Sequence, residues 1–155
     1  MTNQSNHTEL PARPLGQILF SLIIAWLIPG LGHILHRDKR RGLVLFAVIH
    51  VTFLLGIVLH GAVLAPPYSP NDLGFNLVNF LTFLVQLGSG LAALLSLGVS
   101  QMAPSWAETV RAHTLYDLGS IYLLVAGASN SFTVGWLYDR HLRRGRPVSV
   151  EDRVL

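Results

Sequence analysis

LVLFAVIHVTFLLGIVLHGAVLA, residues 43–65, decides the fold. These 23 residues contain no Asp, Glu, Lys or Arg. A helix rises ~1.5 Å per residue and a bilayer's hydrocarbon core is ~30 Å thick, so the run is long enough to cross it. Basic residues stand on its left, at Arg37, Lys39, Arg40 and Arg41. On its right, Pro66, Pro67 and Pro70 with Asn71 and Asp72 mark a stiff turn.

Three further apolar runs flank it, at 15–35, 73–102 and 115–138. Charged residues make up 12% of the 155 and hydrophobic ones 51%. A soluble domain carries about 25% charged residues, so this chain has too few to cover a soluble surface. The reading is an all-α integral membrane protein, a bundle of three or four transmembrane helices. Residues 1–14 form a flexible N-terminal segment, 15–138 the membrane domain and 139–155 a basic C-terminal tail.

Two of the runs carry breaks. Pro29-Gly30 interrupts the first, since Pro removes a helix hydrogen bond and Gly frees the backbone. Gly88-Ser89-Gly90 stands near the middle of the third, which is longer than one crossing needs. These breaks bear on topology. Lys and Arg mark the cytoplasmic side, which places both loop 36–42 and the tail there. Three runs lie between these clusters, and three simple crossings would put them on opposite sides. If 73–102 is re-entrant, entering and leaving on one side, both clusters face the cytoplasm. The rival is four plain spans with an outward tail.

The absent chemistry is informative. No cysteine is present, so thiolate metal sites and a cysteine nucleophile are excluded. No acidic residue falls mid-span, and no phosphate-binding glycine loop, zinc motif or nucleophile elbow occurs. No catalytic residue and no metal site is expected. The basic clusters flank apolar runs rather than a soluble domain, so nucleic acid is not an expected partner.

Ala25-Trp26, Pro29-Gly30, Gly32-His33 and then Arg40-Arg41-Gly42 form a recognisable box. The pattern A-W-x-x-P-G-x-G-H, a basic loop, R-G and an apolar helix resembles a family of small uncharacterised bacterial multi-pass membrane proteins. It is loosely similar to the two-transmembrane-helix domain family. Leu118 to Tyr122, Val125 to Gly127 and Tyr138-Asp139 fit the same resemblance, whereas His36-Arg37 departs from it. The resemblance implies a bacterial inner-membrane location and carries no known activity.

Four groups of residues are candidates for function. His33, Arg37, Arg40 and Arg41 could hold a lipid headgroup or sit at the interface, because juxtamembrane cations attract anionic lipid. His50 and His60, ten residues apart in one run, could ligate a haem or chlorophyll-type tetrapyrrole in an electron-transfer or photosynthetic complex. Gly127, Ser131 and Gly135 recur at four-residue spacing and suit close helix packing, with Asn130 able to hydrogen-bond across that contact. Asn76, Asn79 and Gln86 make a polar stripe, buried against other helices or lining a solute path. The functional expectation is a non-catalytic accessory or packing subunit, with membrane lipids and other subunits or a second copy as partners. A tetrapyrrole-binding subunit and a small transporter or lipid-handling protein are the alternatives.

Overall fold

The computed structural model describes residues 15–35, 38–66 and 76–144, with side chains as far as Arg140. Residues 1–14, His36, Arg37, 67–75 and those beyond 144 lie outside the described residues, and with them the N-terminal segment, most of the turn expected after residue 65 and most of the expected tail. Within them the regular structure is helical: α1 (Leu15–Leu27), α2 (Leu31–Leu35), α3 (Lys39–Val58), α4 (Leu77–Leu87), α5 (Leu91–Met102), α6 (Pro104–Arg111) and α7 (Tyr116–Arg144). Two helices are long and apolar enough to cross a membrane, Lys39–Val58 and the Tyr116–Arg140 part of α7. The others with apolar sequence, α1, α4 and α5, have 13, 11 and 12 residues.

Both expected breaks are present, and each falls on a glycine with positive φ. Gly30 has φ +81° and Gly90 has φ +69°, a region open to glycine at little cost. At the first break the chain turns back on itself. A Cβ at Gly32 would lie 3.0 Å from the Ala25 Cβ. In one continuous helix, positions seven apart stand ~10 Å apart. The chain also folds back at the second break. Phe83 and Leu97 would be ~21 Å apart along a straight helix, yet both pack on one core cluster.

That cluster joins Ile49 and Phe53 of α3, Leu123 and Ala126 of α7, Ala93 of α5 and Val63. Helices α3 and α7 run antiparallel. At one end Gly56 meets Gly119 and Leu123, and at the other Arg41 and Trp136 line one recess. The basic start of α3 and the basic end of α7 therefore lie together. The segment after α3 and the α6–α7 junction lie at the opposite end, where His60 stacks on His113 with ring centres 3.7 Å apart.

Three boundaries differ from the sequence reading. Helix α3 begins at Lys39, inside the basic loop, and ends at Val58 rather than Ala65. Its end is a Schellman motif: Gly61 N–H donates to the Gly56 carbonyl and His60 N–H to that of Ile57. His60 occupies the left-handed position at φ +60°, so it stands outside the helix and does not share a face with His50. The apolar residues that follow are buried but not helical, Ala62 and Val63 among them. Ser96 Oγ accepts from Val63 N–H, and Ser100 Oγ donates to the Val63 carbonyl. The polar stretch after Met102 forms helix α6, with Pro104 in its first turn. Helix α7 runs on through Asp139 to Arg144, six residues into the expected tail, a stretch that holds no Pro or Gly.

Ala at Gly30 or Gly90 would place a methyl group against backbone, at the Gly42 carbonyl or the Trp26 carbonyl respectively. Each change should lower stability by roughly 2–4 kcal/mol, from left-handed strain plus overpacking. Gly98→Ala, where no atom lies within 4 Å of the new Cβ, should instead gain about 0.5–1 kcal/mol as a helix-interior change. Thermal unfolding of the three purified variants checks the order.

Candidate functional site

The two backbone turns meet each other at Asn130, in the middle of α7. Asn130 is fully buried. Its Nδ2 donates to the Trp26 carbonyl and to the Gly88 carbonyl, both at 2.9 Å. The physical reason is the helix end: the last carbonyls of a helix have no partner within it. In α1 that end is forced by Pro29, and in α4 by Gly88 to Gly90. Helix α4 closes part of its own end, as Gly88, Ser89 and Gly90 donate to Val85, Gln86 and Leu87. The Trp26 and Gly88 carbonyls lie within reach of Asn130, which supplies one donor to each. Asn130 Oδ1 and the buried Ser89 Oγ have no hydrogen-bond partner among the described residues.

The first turn also builds a second feature, at the basic end. Pro29 and Gly30 reverse the chain, Gly32 lets α2 settle against Leu137, and His33 then lies under α7. The His33 ring is buried and stacks on Trp136, with centroids 4.8 Å apart and planes 14° from parallel. The Arg140 guanidinium sits 5.1 Å from the Trp136 ring centre, within cation–π range. Beside this stack is an open recess of about 660 Å³, lined by His33, Arg41, Leu45, Ser131, Phe132, Thr133, Gly135 and Trp136. A smaller one of about 380 Å³ adjoins it through His33, Arg41 and Leu45 and adds Arg40 and Val44.

A family model described as a family of unknown function (DUF6677) matches residues 20–145. The chain belongs to this family. No curated protein and no solved structure matches it. The DUF6677 region takes in both turns, Asn130 and every lining residue of the two recesses, and it fits the expectation of an uncharacterised family.

The structure brings some of the expected site residues together and separates others. His33, Arg40 and Arg41 converge on the adjoining recesses, while Arg37 lies outside the described residues. Arg41 reaches Asp38 at 3.9 Å, with both side chains largely exposed, a weak pair. His50 is partly exposed on α3, where its Nδ1 pairs with the Phe46 carbonyl at 2.9 Å and its ring stacks on Phe46. His60 stacks on His113 beyond the helix end. Of the small-residue stripe, Gly127 packs against Val85 and Ser131 approaches Gly88. Gly135 faces open space at the recess. The polar stripe of α4 divides: Asn76 caps the helix by accepting from Val78 and Asn79 N–H, and Gln86 Nε2 donates to the Ser120 carbonyl.

Sequence reasoning missed a close main-chain contact, Gly56 and Gly61 against Gly119. Those glycines lie in different runs and form no spacing pattern within either. It also missed Trp136 as the partner of His33, since stacking between residues a hundred positions apart leaves no local signal.

Asn130→Leu would strand one buried and one part-buried carbonyl, at ~1–3 kcal/mol apiece, so a loss on the order of 2–6 kcal/mol is expected. Ser89→Ala deletes an oxygen that has no partner and should leave the melting temperature unchanged or higher. Parallel melts of the two variants test this; equal losses would contradict it.

Proposed function

We propose that this chain is a non-catalytic, multi-pass protein of the cell membrane that works by packing, as an accessory subunit of a larger membrane complex or with a second copy of itself. The observation that carries this reading is where the apolar surface lies. Within the chain, only 22% of the apolar window of α3 and 28% of that of α7 are buried. The core helix of a soluble domain hides most of such a window. Exposed apolar surface on this scale calls for lipid or a partner. Beside the small apolar cluster, the closest approaches use small or polar residues: Gly56, Gly61, Gly119, Gly127, Gln86 and Asn130. Close packing through small residues is how helices associate in lipid.

On this reading α3 and α7 cross the membrane. The α1–α2 and α4–α5 hairpins enter partway from opposite sides and return. Helices of 11 to 13 residues reach ~17–20 Å, about the middle of the bilayer. Irregular backbone at that depth is tolerated where protein buries it. Pro29, Gly30, Gly88, Ser89 and Gly90 are all buried. The basic end, at Lys39 to Arg41 and Arg140 onward, faces the cytoplasm. The Ala25–His33 box is then what makes the first hairpin in this chain. A non-catalytic role is supported by how the interior polar groups are used, since Asn130, Gln86 and Ser100 all bond main-chain atoms.

The absence of cysteine makes single-cysteine labelling direct. In intact cells a membrane-impermeant maleimide should label Ser105→Cys. Lys39→Cys and Ser149→Cys should react only after permeabilisation. Labelling of Ser149→Cys in intact cells would favour four plain spans and sink this arrangement. A strictly monomeric protein in mild detergent, with no cross-linked partner in cells, would sink the packing role.

A further inference from the structure

We infer that the recess between the start of α3 and the end of α7 binds one anionic phospholipid, with its phosphate at Arg40 and Arg41 and its apolar part over Gly135. This rests on the membrane reading above. Three observations carry it.

The first is charge. Lys39, Arg40 and Arg41 occupy the first turn of α3, where cations oppose the helix dipole and carry a cost. Asp38 offsets little of it, at 3.9 Å from Arg41 and in the open. An anion beside these guanidiniums would offset the repulsion and accept forked hydrogen bonds.

The second is room. Gly135 has no atom within 4 Å of where a Cβ would be, and it lies on the recess beside Ser131. A volume of about 660 Å³ can accept a headgroup and the first part of an acyl chain.

The third is the gradient along the walls. Arg40 and Arg41 stand at one side, the His33–Trp136 stack in the middle, and Leu45 and the exposed Phe132 beyond. A free phosphate would leave that apolar wall unused. A phospholipid is charged at one end and apolar along the rest, and it matches both parts. Arg140, on the Trp136 ring, holds the indole in position as the central wall.

The test is quenching of Trp136 by brominated lipid in reconstituted vesicles. The full chain with Trp106→Phe is incorporated into phosphatidylcholine vesicles, and Trp136→Phe in the same background gives the signal to subtract. Brominated phosphatidylglycerol should quench Trp136 in preference to brominated phosphatidylcholine, by roughly fivefold per cation. The preference should fall towards one in Arg40→Gln/Arg41→Gln. Gly135→Leu, which fills the recess from an open position, should abolish quenching by bound lipid while leaving the melting temperature intact. Equal quenching by both lipids in the parent protein would overturn the proposal, as would unchanged quenching in Gly135→Leu. Loss of the preference with inorganic phosphate, beyond that with chloride at equal ionic strength, would reassign the recess to free phosphate and overturn the lipid. Failure to enter vesicles at all would overturn the membrane reading itself, a result distinct from incorporation without preference.

Discussion

A helix that stops inside a structure leaves carbonyl oxygens that must find donors, and this requirement governs the whole arrangement. Two helices stop here, α1 at Leu27 and α4 at Leu87. Their ends point at one place on α7, where one amide nitrogen serves both. The cost of an unmade bond exceeds the net gain of a made one. Asn130 is therefore better understood as the condition that permits two interrupted helices than as an added stabiliser. The glycines follow from it. Gly90 must pass directly beneath the Trp26 and Leu27 carbonyls, and Gly30 beside that of Gly42, so neither position has space for a side chain.

The rest of the interior is built on the same terms. Backbone touches backbone at Gly56, Gly61 and Gly119, and again at Gly127 and Val85. The larger apolar side chains are mostly turned outward. The core cluster is small, with α3, α5, α7 and the segment around Val63 each giving one or two residues. Cohesion thus rests on close main-chain approach and a few directed hydrogen bonds, with apolar burial in the central cluster and at scattered positions such as Ala25 and Leu137.

Much of this was legible. Charge depletion and run length located the helical segments, because those properties are local and additive along the chain. The breaks at Pro29-Gly30 and Gly88-Ser89-Gly90 were legible for a similar reason, since residues that disrupt helices carry their own signature. The end of α3 was not. His60 takes a left-handed conformation that usually signals itself as glycine, and Ala62 and Val63 are apolar because they are buried, not because they are helical. The candidate site was half legible. The cationic part, Arg40 and Arg41 with His33, stands out beside an apolar run. Its wall at Trp136 and its open floor at Gly135 depend on how α7 crosses α3, which no local pattern encodes. Asn130 was recognisable as an interhelical donor, but its acceptors were not, for they are main-chain atoms and carry no residue signature.

The Asn130 bond to Trp26 joins positions 104 residues apart. Translation proceeds from the N-terminus, so the first hairpin emerges long before the donor that completes it. Until α7 arrives, the Trp26 carbonyl must keep water or another temporary partner, and the later Gly88 carbonyl shares that wait. Helix α7 thus acts as the key that closes both hairpins in one event, and their completion waits for it. Such long-range closure is slow compared with helix formation. A chain interrupted before position 130 would hold two unfinished hairpins, each with a carbonyl that still lacks its donor.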